Sequence, residues 1–196
     1  FVRRRQRQMC IRDRDTPSQT AGPFLHIGCT PRITGINIFK SELGLTPFQD
    51  ISDNEAINIK GKIYDGNDEP IIDAMIETWQ CDANGNYSNN QGFARIVTDF
   101  KTGEYQLKTI RPGNEINIDG SLSASYITFW IVARGMNRPL ITRMYFLEDD
   151  LKNDLMLKSI KIEDRLNTLI PYTEDNKNFI FNIHLQGKKE TIFFEF

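Results

Sequence analysis

AINIKGKIYDGNDEPIIDAMIETWQ, residues 56–80, decides the fold. Ile57, Ile59 and Ile63 alternate with polar positions, the period-two pattern of a strand with one face in a core. Tyr64-Asp65-Gly66-Asn67-Asp68 follows as a turn cluster, and Ile71 and Ile72 restart the apolar pattern, so the spacing predicts a hairpin. Met75, Glu77 and Trp79 then alternate with Ala74, Ile76 and Thr78 up to a second turn at Asp82-Ala83-Asn84-Gly85-Asn86. Outward from this stretch, 93–98, 105–110, 126–133, 140–146, 179–185 and 191–196 are further strand candidates, each bounded by Gly, Asn, Asp or Pro. About eight short strands with regular turn signals predict an all-β fold, an antiparallel β-sandwich. Helix is a minor component. In 149–169, Leu151, Leu155, Met156, Leu166 and Leu169 among Lys and Asp residues fit one or two short peripheral helices.

The chain has 196 residues, the size of one large domain, with 39% hydrophobic, 26% charged and 11% aromatic residues. With 24 Lys+Arg against 26 Asp+Glu, it is neither disordered nor polycationic, which excludes nucleic-acid binding by bulk charge. The longest apolar stretch, near Ile127 to Ala133, is far short of the ~20 residues needed to cross a bilayer, and no secretory signal is apparent. Cys10, Cys29 and Cys81 form an odd set without C-x-x-C spacing and read as small hydrophobes in a reducing compartment, so a soluble cytoplasmic protein is expected. Arg3, Arg4, Arg5, Arg7, Arg12 and Arg14 crowd a polar opening segment. Residues 1–14 read as a non-native or disordered leader or a basic arm, and the domain as 15–196 with a lead-in over 15–52.

Histidine count bounds the chemistry. Only His26 and His184 exist, far apart, so a His-rich metal site on this chain alone is not expected. His184 reads as a hydrogen-bonded strand histidine, and His26 as a less constrained loop residue. No G-x-S-x-G, P-loop or G-x-G-x-x-G is present. Glu77, Asp73, Asp82 and Asp99 read as solvated charges at strand faces and ends. Thr16-Pro17-Ser18-Gln19-Thr20-Ala21-Gly22-Pro23-Phe24 carries two prolines and a glycine, which suit an extended, non-helical wall against a ligand or another subunit. In Ala133-Arg134-Gly135, a guanidinium closing an apolar strand is either a strand-end ion-pair partner or an anion-recognising group near a cleft.

T-P-S-Q-T-A-G-P-F at 16–24, E-T-W-Q-x-D-A-N-G-x-Y at 77–87, T-G-E-Y and T-I-R-P-G within 102–113, A-R-G at 133–135, T-R-M-Y-F at 142–146 and the closing L-Q-G-K-K-E-T-I-F-F-E-F occur in one order and spacing. Together they resemble the intradiol ring-cleavage dioxygenases, most of all the alpha-type chain of members built from two kinds of chain. The resemblance covers nearly all of 15–196. It implies a β-sandwich and O2-dependent cleavage of a catechol between its hydroxylated carbons, here of 3,4-dihydroxybenzoate to 3-carboxy-cis,cis-muconate. It also implies an Fe(III) held by two Tyr and two His of an iron-bearing beta-type partner, in a higher-order alpha-beta oligomer.

Carried onto this chain, the ligand positions of iron-bearing relatives fall on Tyr87, Glu115, Tyr126 and Thr128, and an associated arginine falls on Ser123. Only Tyr87 keeps its ligand type, which implies no metal on this chain, no catalytic residue of its own, and inactivity alone. The resemblance instead nominates Thr20, Gly22 and Pro23 as a wall of the partner's substrate pocket and Arg134 as a nearby positive charge. Phe24, Phe129, Trp130 and Phe193 are expected on exposed faces that meet the partner. The competing reading is a non-catalytic sandwich that binds or scaffolds a ligand through a degenerate iron site.

Overall fold

A computed structural model describes residues 20–38, 44–88, 91–117, 119–147, 149, 151–152, 154–160 and 163–195. The Arg-rich leader, Cys10 and Thr16 to Gln19 lie outside the described residues. Nine strands are present among these residues: β1 (Ala56–Tyr64), β2 (Met75–Trp79), β3 (Phe93–Val97), β4 (Glu104–Ile110), β5 (Tyr126–Val132), β6 (Leu140–Tyr145), β7 (Tyr172–Thr173), β8 (Asn178–Ile180) and β9 (Ile183–His184). They form two sheets. One is ordered β4-β1-β8-β7 with β9 also on β1, and the other β3-β2-β5-β6. The second is antiparallel throughout, whereas β8 and β9 run parallel to β1, which makes the first sheet mixed.

The alternation read in residues 56–64 is the structural one. Ile57, Ile59 and Ile63 are buried between the sheets, where Ile76 of β2, Ile127, Phe129 and Ile131 of β5, and Phe179 and Phe181 meet them. Burying each of these side chains contributes roughly 1.5–3 kcal/mol, which makes this layer the main stabilising term. The anticipated hairpin after β1 is cut short, with Ile71 N–H donating to the Ile63 carbonyl (2.8 Å) and Asp65 N–H to the Glu69 carbonyl (3.0 Å). A single bridge joins Tyr64 to Pro70, and the chain then crosses to the other sheet, because the apolar faces of β1 and β2 pack against each other rather than side by side. The segment from Phe179 to Leu185 is split at Phe181 and Asn182, and 191–195 is not a strand, although Phe194 N–H donates to the Ile141 carbonyl at the β6 edge (2.8 Å). Phe129 is fully buried, so it is core and not part of an exposed face; Phe24 is 80% exposed.

The helices are short. Helix α1 (Pro23–Cys29) starts with Pro23 in its first turn, where the missing N–H costs nothing. The stretch ending in Gly22-Pro23-Phe24 is therefore not extended throughout, and His26 is a buried helical residue rather than a loop residue. Helix α2 (Leu155–Lys158) and a 3₁₀ turn over Glu163–Leu169 occupy the predicted peripheral position. Asp154 caps α2 through Leu157 N–H (3.0 Å) and also accepts Ala124 N–H (3.0 Å), tying the helix to the entry of β5. Because Asp154 is only 2% exposed, Asp154→Ala orphans two buried donors and should lower stability by about 2 kcal/mol, read as a shift in the urea midpoint at unchanged slope.

Candidate functional site

Two side-chain groups stand at opposite ends of β5. At its start, the turn 82–86 is closed by Asp82, whose Oδ1 accepts Asn84 N–H (2.8 Å) and Asn86 N–H (2.9 Å), while Gly113 N–H donates to the Asp82 carbonyl (2.8 Å). Gly85 takes φ +81° directly against the Asn114 carbonyl, an approach that a side chain would block. This docking brings Tyr87 to Glu115. The Tyr87 hydroxyl donates to Glu115 Oε1 (2.5 Å), and the Tyr126 hydroxyl donates to Oε2 (3.0 Å). Glu115 N–H donates to Ser123 Oγ (3.1 Å), and the Arg143 guanidinium sits 3.9 Å from the Tyr126 ring centroid. Thr128 is paired across the sheet with Trp79 on one side and Arg143 on the other.

The structure therefore gathers Tyr87, Glu115, Tyr126 and Ser123 into one hydrogen-bonded group, with Thr128 on the neighbouring strand positions. Its electrostatics favour protonated phenols. Burial, and then the hydrogen bond to Glu115, push the Tyr87 hydroxyl far above the ordinary tyrosine range, and burial also raises Tyr126. Cys81 below the turn is pushed up to about 11 by burial and then by the charge of Glu115, so it is inert as a nucleophile near neutrality.

At the far end of β5, a strand that spans roughly 20 Å, lie the lead-in residues and Arg134. Thr20 Oγ1 accepts the Gly135 N–H (2.6 Å), which joins the lead-in to the A-R-G turn; Gly135 adopts φ +87°. Gly22 is the N-cap of α1, and Pro23 follows in the first turn. Arg134 Nη2 pairs with Asp73 Oδ2 at 3.0 Å. His26 Nε2 donates to the Asp73 carbonyl (3.0 Å), and its ring meets Phe100 edge-on at 5.5 Å. His26, Asp73, Phe100 and Arg134 line an open cleft of about 510 Å³ with Ile71 and Ile72 on its apolar side.

Of the two readings of Arg134, the ion pair is present, and the guanidinium also faces a cleft. Asp73 and Glu77 are not solvated charges: Asp73 holds Arg134, and Glu77 pairs with Arg95 at 2.5 Å. Asp82 and Asp99 cap turns through backbone N–H groups. His184 is a strand residue, as read, stacked on Tyr64 at 4.7 Å. Asp73 and His26 are the cleft residues that sequence reasoning missed. The signal for Asp73 was register. Met75 pairs with Val132, and two residues further along each strand stand Asp73 and Arg134.

Comparison with known proteins adds three findings. The family model described as Dioxygenase matches residues 40–187. The protocatechuate 3,4-dioxygenase alpha chain of Pseudomonas putida is 35% identical over 93% of this chain and 96% of its own length; the beta chain of Burkholderia cepacia is 29% identical over 50% and 47%. Among solved structures, the dioxygenase domain of a dioxygenase carbohydrate-binding fusion from Streptomyces sp. SirexAA-E superposes with a TM-score of 0.60 at 16% identity, covering 90% of this chain and all of that domain. No helix among the described residues is long and apolar enough to cross a membrane.

Proposed function

This chain belongs to the intradiol dioxygenase family, and on that premise we propose that it is the alpha-type subunit of a protocatechuate 3,4-dioxygenase, completing an active site whose iron is held by a beta-type chain. The reaction opens the ring of 3,4-dihydroxybenzoate between its hydroxylated carbons and places both atoms of O2 in the product, 3-carboxy-cis,cis-muconate. Ferric ion is the family's cofactor. The residues at this chain's own ligand positions do not fit it: Glu115 already accepts from both phenols, burial holds those phenols protonated, and no imidazole stands among them.

The observation that carries the proposal is the Thr20–Gly135 hydrogen bond. It ties the lead-in to the turn after Arg134, at the end of β5 away from the degenerate ligand positions, which supports reading these residues as a wall for a site other than this chain's own. Thr20, Gly22 and Pro23 then present that wall to the partner's pocket, and Arg134 offers a guanidinium to the substrate carboxylate, where a fixed charge lowers the cost of placing an anion in a partly dry cleft. The exposed Phe24 beside them supplies apolar area to the same interface, as an obligate contact requires. An alpha-beta oligomer in the cytoplasm, with free Cys29 and Cys81, completes the reading.

The test is iron content and oxygen uptake with protocatechuate, for the chain alone and for the chain co-produced with an iron-bearing beta-type partner. Iron and uptake are expected only in the co-purified complex. A soluble, iron-free chain that forms no complex would support the binding-module alternative, and iron with activity in the lone chain would overturn the ligand assignment.

A further inference from the structure

We infer that Asp73 is a positioning residue that sets selectivity for a carboxylated substrate by orienting Arg134, an inference that rests on the role proposed for Arg134. An arginine side chain that is 67% exposed loses rotamer entropy when a ligand must order it. Asp73 removes much of that loss in advance. Its carboxylate is only 22% exposed and takes Nη2 at 3.0 Å. Its main chain is itself fixed, because the buried His26 donates to its carbonyl and β2 begins two residues later. A carboxylate anchored on one edge of a planar guanidinium holds the remaining N–H groups in one direction, and at this position the fork lies on the cleft. The pair also brings the cleft mouth close to electrical neutrality. Recognition of an anion there depends on the direction of the donors rather than on long-range attraction, so orientation becomes the quantity that distinguishes a carboxylated catechol from catechol itself.

The experiment is steady-state kinetics of the assembled alpha-beta enzyme with protocatechuate and with catechol, which lacks the carboxylate, checking assembly and iron content for each variant. Asp73→Ala should raise KM for protocatechuate about tenfold with kcat within about twofold, and leave KM for catechol unchanged. Asp73→Asn, which keeps an acceptor at the same reach, should return KM to within about threefold. Asp73→Glu displaces the guanidinium by one methylene and should raise the protocatechuate-to-catechol KM ratio about fivefold; it carries the test if the alanine variant does not assemble. A ratio unchanged in Asp73→Ala or Asp73→Glu, or both substrates affected alike, overturns the inference. Arg134→Ala separates the two layers. If it raises the ratio while the Asp73 variants do not, only the positioning role falls; if it leaves the ratio unchanged, the role proposed for Arg134 falls and this inference with it.

Discussion

Gly61→Ala should cost about 3–5 kcal/mol and prevent recovery of a soluble alpha-beta complex. Gly61 sits in the middle of β1, opposite Tyr105 of β4, with the Phe181 carbonyl directly over its Cα. That carbonyl accepts the Tyr105 hydroxyl (2.5 Å), and Phe181 N–H donates to the Lys60 carbonyl (2.8 Å). A methyl at position 61 would overlap the carbonyl and lie 3.0 Å from the Tyr105 hydroxyl. Both neighbours are fully buried, so neither has room to yield. Displacing the carbonyl breaks the Tyr105 bond, strands two polar atoms without water, and pulls the Phe181 ring from its place against Phe129, 5.3 Å away. Tyr105→Phe is the comparison. It removes the hydroxyl without adding volume and should cost only about 1–2 kcal/mol. Chemical denaturation of the two variants checks the ordering, and a Gly61→Ala loss below that of Tyr105→Phe would refute the steric argument.

Gly61 also marks where sequence reading stops. The inward set Ile57, Ile59 and Ile63, the strand at 75–79, and the apolar run of β5 were legible because burial on one face imposes period two on the residues themselves. The connection after β1 was not. A turn cluster between two apolar segments fits a hairpin and a crossover to a facing sheet equally well, and only the packing of the Ile76 face onto the β1 face decides. The parallel pairing of β8 and β9 with β1 is a contact across 120 residues, which no local pattern records.

The candidate site divides in the same way. The ligand substitutions at Glu115, Tyr126 and Thr128 were implied by the family resemblance, and the structure places Tyr87, Glu115 and Tyr126 within hydrogen-bonding reach of one another. The lead-in and Arg134 were nominated by the resemblance; the meeting of Thr20 and Gly135, 115 residues apart, is tertiary. Asp73 and His26 were misread because charge at a strand end and a histidine after a Gly-Pro pair are, one at a time, ordinary surface features. Their function is relational: one carboxylate facing one guanidinium, and one imidazole holding that carboxylate's main chain.

The second large effect is expected under alkali. Burial alone raises Tyr105 well above the ordinary tyrosine range, and burial, partly opposed by Arg143, raises Tyr145. Both are fully buried. A phenol whose pKa is higher in the folded than in the unfolded chain stabilises the fold fully below the unfolded value, near pH 10, and loses that contribution as pH rises beyond it. Each such proton tilts stability by about 1.4 kcal/mol per pH unit, so these two residues alone should make unfolding free energy fall by about 2.7 kcal/mol per unit above pH 10, while contributing no slope between pH 7 and 9. Tyr105→Phe should reduce the measured slope by about 1.4 kcal/mol per pH unit. Tyr87 and Tyr126 are raised as well, and they give the titration its bearing on function. An iron-holding chain needs phenolates near neutrality, whereas here Glu115 accepts both phenolic protons. Ferric ion added to the lone chain should therefore produce no visible phenolate-to-iron band. Such a band at neutral pH would mean that the metal displaces those protons and that the degenerate site still binds iron.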